Sequence, residues 1–186
     1  LAEAEETQAQ AQDYLSSMVD DLAPESPSEA CKANMLAALS SERFDRFSKD
    51  VAKLLDIDEQ QALVILRQID EPKSWEPGIM DGMTLYHVQG GPKVAEAITG
   101  FVRLDSGLEF PSHKHLGEEH VLILQGYYHD ETSGEDYGPG DVVCLPAESE
   151  HSFKVYENST SLLYLNVIQS GLEVFGTVFT YDDDRL

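Results

Sequence analysis

The segment GLEFPSHKHLGEEHVLILQG, residues 107–126, joins a dense polar cluster to an apolar strand that ends at a glycine. Within it, the eleven residues 110–120 contain three histidines and two glutamates. A cluster of this kind is typical either of a polar surface turn or of a metal site. The positions of the side chains along the segment decide which interpretation the sequence favours.

The alternation of side chains along an extended segment sorts these residues onto two faces. His113 and His115 are two residues apart, so both side chains point the same way. Glu119 has the same parity, and Gly117 permits a bend between them. His120 has the opposite parity, and we expect it to point away from the other three.

A metal site needs a further ligand from elsewhere in the fold, and His151 offers one at the start of a later strand. We therefore predict that His113, His115, Glu119 and His151 bind one divalent metal ion. Three imidazoles and one carboxylate suit zinc, iron, manganese, nickel or copper better than calcium or magnesium. A bound metal would also remove the free-energy cost of burying these polar groups unpaired.

The chain changes character near residues 72–78, where helical periodicity gives way to short β-rich runs separated by turn residues. We expect a helical N-terminal region over 1–74, with a linker near 23–30, followed by a β domain over 75–186. The expected helices cover residues 1–22 in part, Lys32–Leu39, about Glu42–Leu55 with Ser41 as N-cap, and a segment from Asp58 to Pro72. Gln61 follows Asp58 by three residues, as a capping box requires.

About eight strands are expected in the second part of the chain. The predicted ranges are 83–89, 95–104, 109–115, 119–128, 141–145, 151–156, 161–168 and 173–180. Short strands at this spacing, with glycine, proline and aspartate turns between them, are typical of a jelly-roll sandwich or barrel.

The composition excludes several functions. The 186 residues carry 35 acidic and 12 basic side chains, a net charge of −23, and this field repels nucleic acid. It suits a solubilising surface or a basic protein partner. No run approaches 18 consecutive apolar residues, so we expect no membrane-spanning helix. The two cysteines, Cys31 and Cys144, form no CxxC pair; we expect them to be buried, in a protein of the cytoplasm.

The full spacing resembles the cupin superfamily. The first motif is matched by Gly107, His113, His115, Glu119 and Gly126, and the second by Gly140, Pro146 and His151. Two positions depart from the second motif: Glu148 stands where the family has glycine, and Val155 where it has asparagine. Both departures concern turn geometry and hydrogen bonding rather than the metal ligands.

The runs EFPSHKHLGEEHVLILQGYYHDE and YGPGDVVCLPAESEHSF resemble the cupin domain of ChrR-type anti-sigma factors. The resemblance implies a double-stranded β-helix that binds zinc and senses oxidative stress, beside a helical domain that binds a group IV sigma factor. That helical domain carries a zinc site with an HxxxCxxC element. Residues 1–74 here hold no histidine and one cysteine, so this second zinc site is not carried over.

Two functions remain open from the sequence. The first is a sensory or regulatory cupin that binds a sigma-like partner and reads a small molecule or an oxidant. The second is a mononuclear metal enzyme, such as a non-haem dioxygenase acting on a small molecule. The residues expected near the metal are mostly apolar, which favours the regulator, and a homodimer is possible for either.

Overall fold

The computed structural model describes residues 28–32 and 42–183. By its contacts the chain divides into two compact units, Leu1–Ala38 and Leu39–Leu186. In the first unit, residues 29–32 form a helical turn. The helix expected within 1–22, the N-cap at Ser41 and most of the linker and of the helix at Lys32–Leu39 lie outside the described residues. The domain boundary at 74/75 stays a prediction.

Two short helices open the described part of the second unit. Helix α1, Ser48–Leu55, follows a 3-10 turn at Asp45–Phe47, and helix α2 covers Glu59–Arg67. The predicted capping box is present: the Asp58 carboxylate accepts from the Gln61 N–H at 2.9 Å, and the Gln61 side chain accepts from the Asp58 N–H. Among the described residues no helix is long and apolar enough to cross a membrane.

Two six-stranded antiparallel sheets make up most of the unit, with further 3-10 turns at Pro72–Ser74 and Pro92–Val94. The strands are β1 Glu76–Pro77, β2 Met83–His87, β3 Ala97–Leu104, β4 Glu109–His115, β5 Glu119–Gln125, β6 Tyr128–Asp130, β7 Asp136–Tyr137, β8 Val142–Leu145, β9 Glu150–Val155, β10 Leu162–Gln169, β11 Leu172–Val174 and β12 Thr177–Phe179. The first sheet has the order β1-β2-β3-β10-β5-β8, and the second β12-β11-β4-β9-β6-β7. The mainly β, jelly-roll class is thereby confirmed.

All eight predicted strands are present, but two of them are divided. The run predicted over 119–128 breaks at Gly126 into β5 in the first sheet and β6 in the second. The run predicted over 173–180 is a hairpin, β11 and β12, turning at Phe175 and Gly176 with positive φ angles. A continuous apolar pattern does not show where a strand changes sheets, because both halves remain buried.

The unbroken apolar run over residues 121–124 in β5 reflects packing on both faces of the strand. Val121 and Ile123 point into the core shared by the strands of both sheets. Leu122 and Leu124 point to the opposite face, where they join the core formed with the helices. Helix α1 contacts β5 and β10 directly. A strand buried on both faces loses the usual alternation of polar and apolar residues.

Gly126 stands at the point where the chain leaves the first sheet, and its backbone has φ +79°. A Cβ atom there would lie 2.8 Å from both the Cα of Leu162 and the carbonyl oxygen of Ser161. We expect Gly126→Ala to lower the free energy of unfolding by about 2–4 kcal/mol, combining left-handed strain with overpacking. Urea denaturation measures this change.

Gly134 provides the matched control, because it has φ +76° and open space around its Cβ position. Gly134→Ala carries only the conformational penalty, about 1–2 kcal/mol. Equal losses in the two variants would contradict a role for close backbone contact at Gly126.

Candidate metal centre

The predicted ligands come from three strands that belong to both sheets. His113 and His115 lie on β4, His151 on β9 and Glu119 at the first position of β5. In the pairing of β4 with β9, His113 stands directly opposite His151. The structure therefore brings together the four residues that the sequence selected.

A β-bulge sets the direction of the two histidines on β4. The register shifts between Phe110 and His113, so β4 has one residue more than β9 over this interval. Phe110 and His113 are both buried although their sequence parity differs. The bulge lets the strand contribute an apolar side chain and two imidazoles to the same interior.

The turn between β4 and β5 returns Glu119 to the same interior. A Cβ atom on Gly117 would lie 2.2 Å from the carbonyl oxygen of Gln169, so only glycine allows β10 to approach this turn. His120 follows on the outer face of the sheet and bonds to Glu118 at 2.6 Å. The predicted division between Glu119 and His120 is present in the structure.

Hydrogen bonds to acceptors set the tautomers of His113 and His151. His113 Nδ1 lies 3.0 Å from the carbonyl oxygen of Pro111, and His151 Nδ1 lies 2.6 Å from Asp130 Oδ2. Carbonyl and carboxylate oxygens only accept hydrogen bonds, so each Nδ1 carries the proton. In the neutral form of each ring, Nε2 then carries a lone pair.

His115 has the same arrangement through a hydroxyl group. The Ser149 hydroxyl donates to the Pro146 carbonyl at 2.6 Å, so it accepts from His115 Nδ1 at 2.9 Å. The Nε2 atom of His115 is thereby left as an acceptor. Histidine ligands of metals in proteins are commonly oriented in this way by a partner at the second ring nitrogen.

The side-chain nitrogen and oxygen atoms that could bind a metal lie close together. His113 Nε2 and His151 Nε2 are 3.1 Å apart, and His115 Nε2 lies 2.7 Å from Glu119 Oε2. Apart from this close contact, neither atom of the second pair has a hydrogen-bond partner among the described residues. All four residues are at most 6% exposed, and one donor atom from each lies within 4.8 Å of every other.

Burial and charge favour the protonation states that bind a metal. Desolvation lowers the pKa of His113 to about 4, although Glu119 nearby acts in the opposite direction. Burial alone would raise the pKa of Glu119, but His115, His113 and His151 hold it below its usual range. The centre thus combines a neutral imidazole at His113 with an ionised carboxylate.

This donor set could hold a metal ion. Without a cation, facing lone pairs in an apolar interior are an unfavourable arrangement. A divalent ion among three neutral imidazoles and one carboxylate would leave a net charge of +1. Nitrogen and oxygen donors in this ratio match the borderline transition metals and zinc, and they do not single out one of them.

Two residues that support the histidines, Asp130 and Ser149, were not predicted from the sequence. Asp130 also accepts the N–H groups of Thr132 and Ser133, at 2.9 and 2.8 Å. Burial alone would raise the pKa of Asp130, but the hydrogen bonds from His151 and from these N–H groups outweigh that effect and lower the pKa. The carboxylate therefore stays ionised. Alternation along Tyr128–Asp130 could have revealed it, because Tyr128 and Asp130 both point inward.

The two departures from the cupin pattern leave the turn before His151 in place. Glu148 takes φ +65°, the left-handed conformation that glycine adopts more easily. Its N–H donates to the His115 carbonyl at 2.9 Å, and its carboxylate pairs with Lys114. Val155 is fully buried in the core between the sheets.

An apolar cavity of about 70 Å³ adjoins the centre. His113, Glu119 and His151 line it together with apolar side chains of both sheets, and His87 lies on its wall as well. The amide oxygen of Asn166, on β10, is buried there with no hydrogen-bond partner among the described residues. Burial raises the pKa of Tyr164, and that tyrosine stays a neutral phenol.

The expectation of buried cysteines was wrong. Cys31 and Cys144 are both exposed. Cys144 lies on β8, an edge strand of the first sheet, and its side chain points outward. Partial burial and Glu118 raise the pKa of its thiol. His129, on β6, is half exposed and bonds to Asp136 at 2.7 Å.

Comparisons with known proteins agree with this architecture. Residues 64–170, more than half of the chain, match the family model of the ChrR Cupin-like domain. The anti-sigma-E factor ChrR of Cereibacter sphaeroides is 38% identical over 61 residues, which are 33% of this chain and 28% of that protein. The match thus spans little more than a quarter of the curated relative.

Solved structures show the same fold. A chain in the crystal structure of Rhodobacter sphaeroides SigE in complex with the anti-sigma ChrR matches with TM-score 0.52 and 23% identity, over 91% of this chain and 83% of that one. An acetylacetone dioxygenase from Acinetobacter johnsonii matches with TM-score 0.51 and 13% identity, over 60% and 82% of the two chains. Fold, motif spacing and family model agree, and this chain belongs to the ChrR cupin-like domain family.

Proposed function

We propose that this protein is a metal-dependent regulatory cupin that acts in stress-responsive transcription. His113, His115, Glu119 and His151 hold one divalent metal ion, with zinc favoured and iron, manganese or nickel as alternatives. The observation that carries the proposal is the convergence of one donor atom from each of these four buried residues. Each histidine is already oriented for a metal by a partner at its other nitrogen.

The chemistry around the centre favours sensing over catalysis. A bound metal supplies Lewis acidity or redox capacity at the wall of the cavity. A catalytic site also needs an acid or base within reach of the substrate. The carboxylates nearest the centre are already engaged: Glu119 faces the imidazoles and Asp130 bonds to His151. An apolar cavity beside the metal suits the entry of a small apolar signal or a hydroperoxide.

A sigma-like factor is the proposed partner. The similarity to ChrR supports this choice, and the net charge of −23 favours a partner with a basic surface. A sigma factor acts in the cytoplasm, which is the proposed location of this chain. Direct contact with nucleic acid is not part of the proposal, because the acidic surface repels phosphate.

The alternative is a mononuclear metal enzyme acting on a small molecule. It is favoured by the cavity, where the unpaired Asn166 amide oxygen could orient a substrate that carries a hydrogen-bond donor. The likeness to acetylacetone dioxygenase concerns the fold alone. Oxygen consumption by the iron-loaded protein in the presence of acetylacetone would favour the enzyme.

Metal content tests the ligand set. We expect the purified protein to retain about one equivalent of metal after dialysis against a mild chelator, and His151→Ala to retain less than about a tenth of that. Removing one ligand leaves only three protein donors, so the metal is held less tightly. Elemental analysis by mass spectrometry measures the content, with His129→Ala as the control, since that histidine pairs with Asp136 outside the centre. Unchanged metal in His151→Ala would contradict the proposal.

Asp130→Asn tests the support of His151. The variant removes the charge that orients the imidazole and stabilises its bond to a cation, so we expect metal affinity to fall by about 10- to 100-fold. Competition with a chromophoric chelator measures the affinity. Asp136→Asn in the same hairpin is the control, because its carboxylate bonds to His129 and Tyr156 instead. Equal affinities in the two variants would show that Asp130 serves only the fold.

Affinity purification of the tagged chain tests the partner. We expect a sigma factor to be recovered and identified by mass spectrometry, and its recovery to fall as salt is raised, since charge attraction contributes to binding. Recovery of the chain alone, together with turnover of a small molecule, would support the enzyme instead.

A further inference from the structure

A second group of metal-binding side chains lies on the outer face of the first sheet. Glu118, His120 and Cys144 each place one donor atom within 4.8 Å of the others. None of the three belongs to the cupin centre. They offer a carboxylate oxygen, an imidazole nitrogen and a thiol sulfur.

The sheet holds this arrangement in place. In the pairing of β5 with β8, His120 stands directly opposite Cys144, so both side chains project from the same face. The carbonyl oxygen of Glu118 accepts the N–H of Gln169 at 2.9 Å, which fixes the start of β5 against β10. Two of the donors thus lie on paired strands, and the third, Glu118, lies immediately before β5.

The donors are reachable from solvent. The side chains of Glu118 and His120 are 55% and 32% exposed, and Cys144 is exposed on an edge strand. The bond between His120 Nε2 and Glu118 Oε1, at 2.6 Å, is shorter than the spacing of about 3.3–3.8 Å between ligands of a tetrahedral zinc ion. A cation that binds between these residues would break the hydrogen bond between His120 and Glu118, and the Cys144 sulfur would move toward the cation.

We propose that Glu118, His120 and Cys144 form a second, exchangeable site for a thiophilic divalent cation of the zinc class. Sulfur and imidazole donors select zinc and its neighbours over calcium or magnesium. Three protein ligands leave a fourth position to water, as in open zinc sites. The large negative charge of the chain favours cation capture. This proposal does not rest on the function assigned to the cupin centre.

Cobalt substitution separates the two sites by their ligands. The cupin centre has nitrogen and oxygen donors only, so a thiolate-to-cobalt charge-transfer band in the near-ultraviolet would report on the second site. We expect this band in the full-length, reduced protein titrated with Co²⁺. It should persist in His113→Ala, which lacks a donor of the cupin centre.

Matched cysteine variants give the decisive comparison. We expect Cys144→Ser to lose the band and Cys31→Ser to keep it, because Cys31 lies outside the group. His120→Ala should weaken the Co²⁺ affinity read from the band by at least about tenfold, while the metal retained at the cupin centre stays unchanged. Loss of the band in Cys31→Ser, its survival in Cys144→Ser, or its absence from the wild-type protein would each overturn the proposal.

Discussion

The convergence of three buried imidazoles and one buried carboxylate is the constraint on which the rest of this structure depends. In an apolar interior such a group is unfavourable unless a cation joins it. Its geometry requires two sheets to meet at one point, since β4 and β9 supply the histidines and β5 the glutamate. The bulge in β4, the close turn at Gly117 and the bonds to Asp130 and Ser149 all serve that convergence.

Strand β5 links the metal centre to the helical layer. It begins with Glu119 at the centre, and the residues from Val121 to Leu124 alternate between the inner core and the face that packs on the helices. Helix α1 contacts this strand directly. A change at the centre that moves β5 must therefore alter the packing of the helices, because a strand buried on both faces has no free side on which to relax.

The sequence was sufficient for features that depend on short-range periodicity. Parity separated Glu119 from His120, and the spacing of Asp58 and Gln61 predicted the capping box. The sequence did not predict features that depend on pairing between strands far apart in the chain. The bulge before His113 and the change of sheet at Gly126 leave no signal in hydrophobicity, since the flanking residues are buried either way. The exposure of Cys144 follows from β8 being an edge strand, which only the assembled sheet reveals.

Under the proposed function, the metal-dependent signal has to arise in the barrel. Residues 1–74 contain no histidine and a single cysteine, so they hold no HxxxCxxC element. The cupin centre is the buried group of metal donors among the described residues, and it adjoins the apolar cavity. His113, Glu119 and His151 line that cavity, so a small molecule inside it would contact the metal donors. Its effect can then reach the helices through β5, whose outer face they cover.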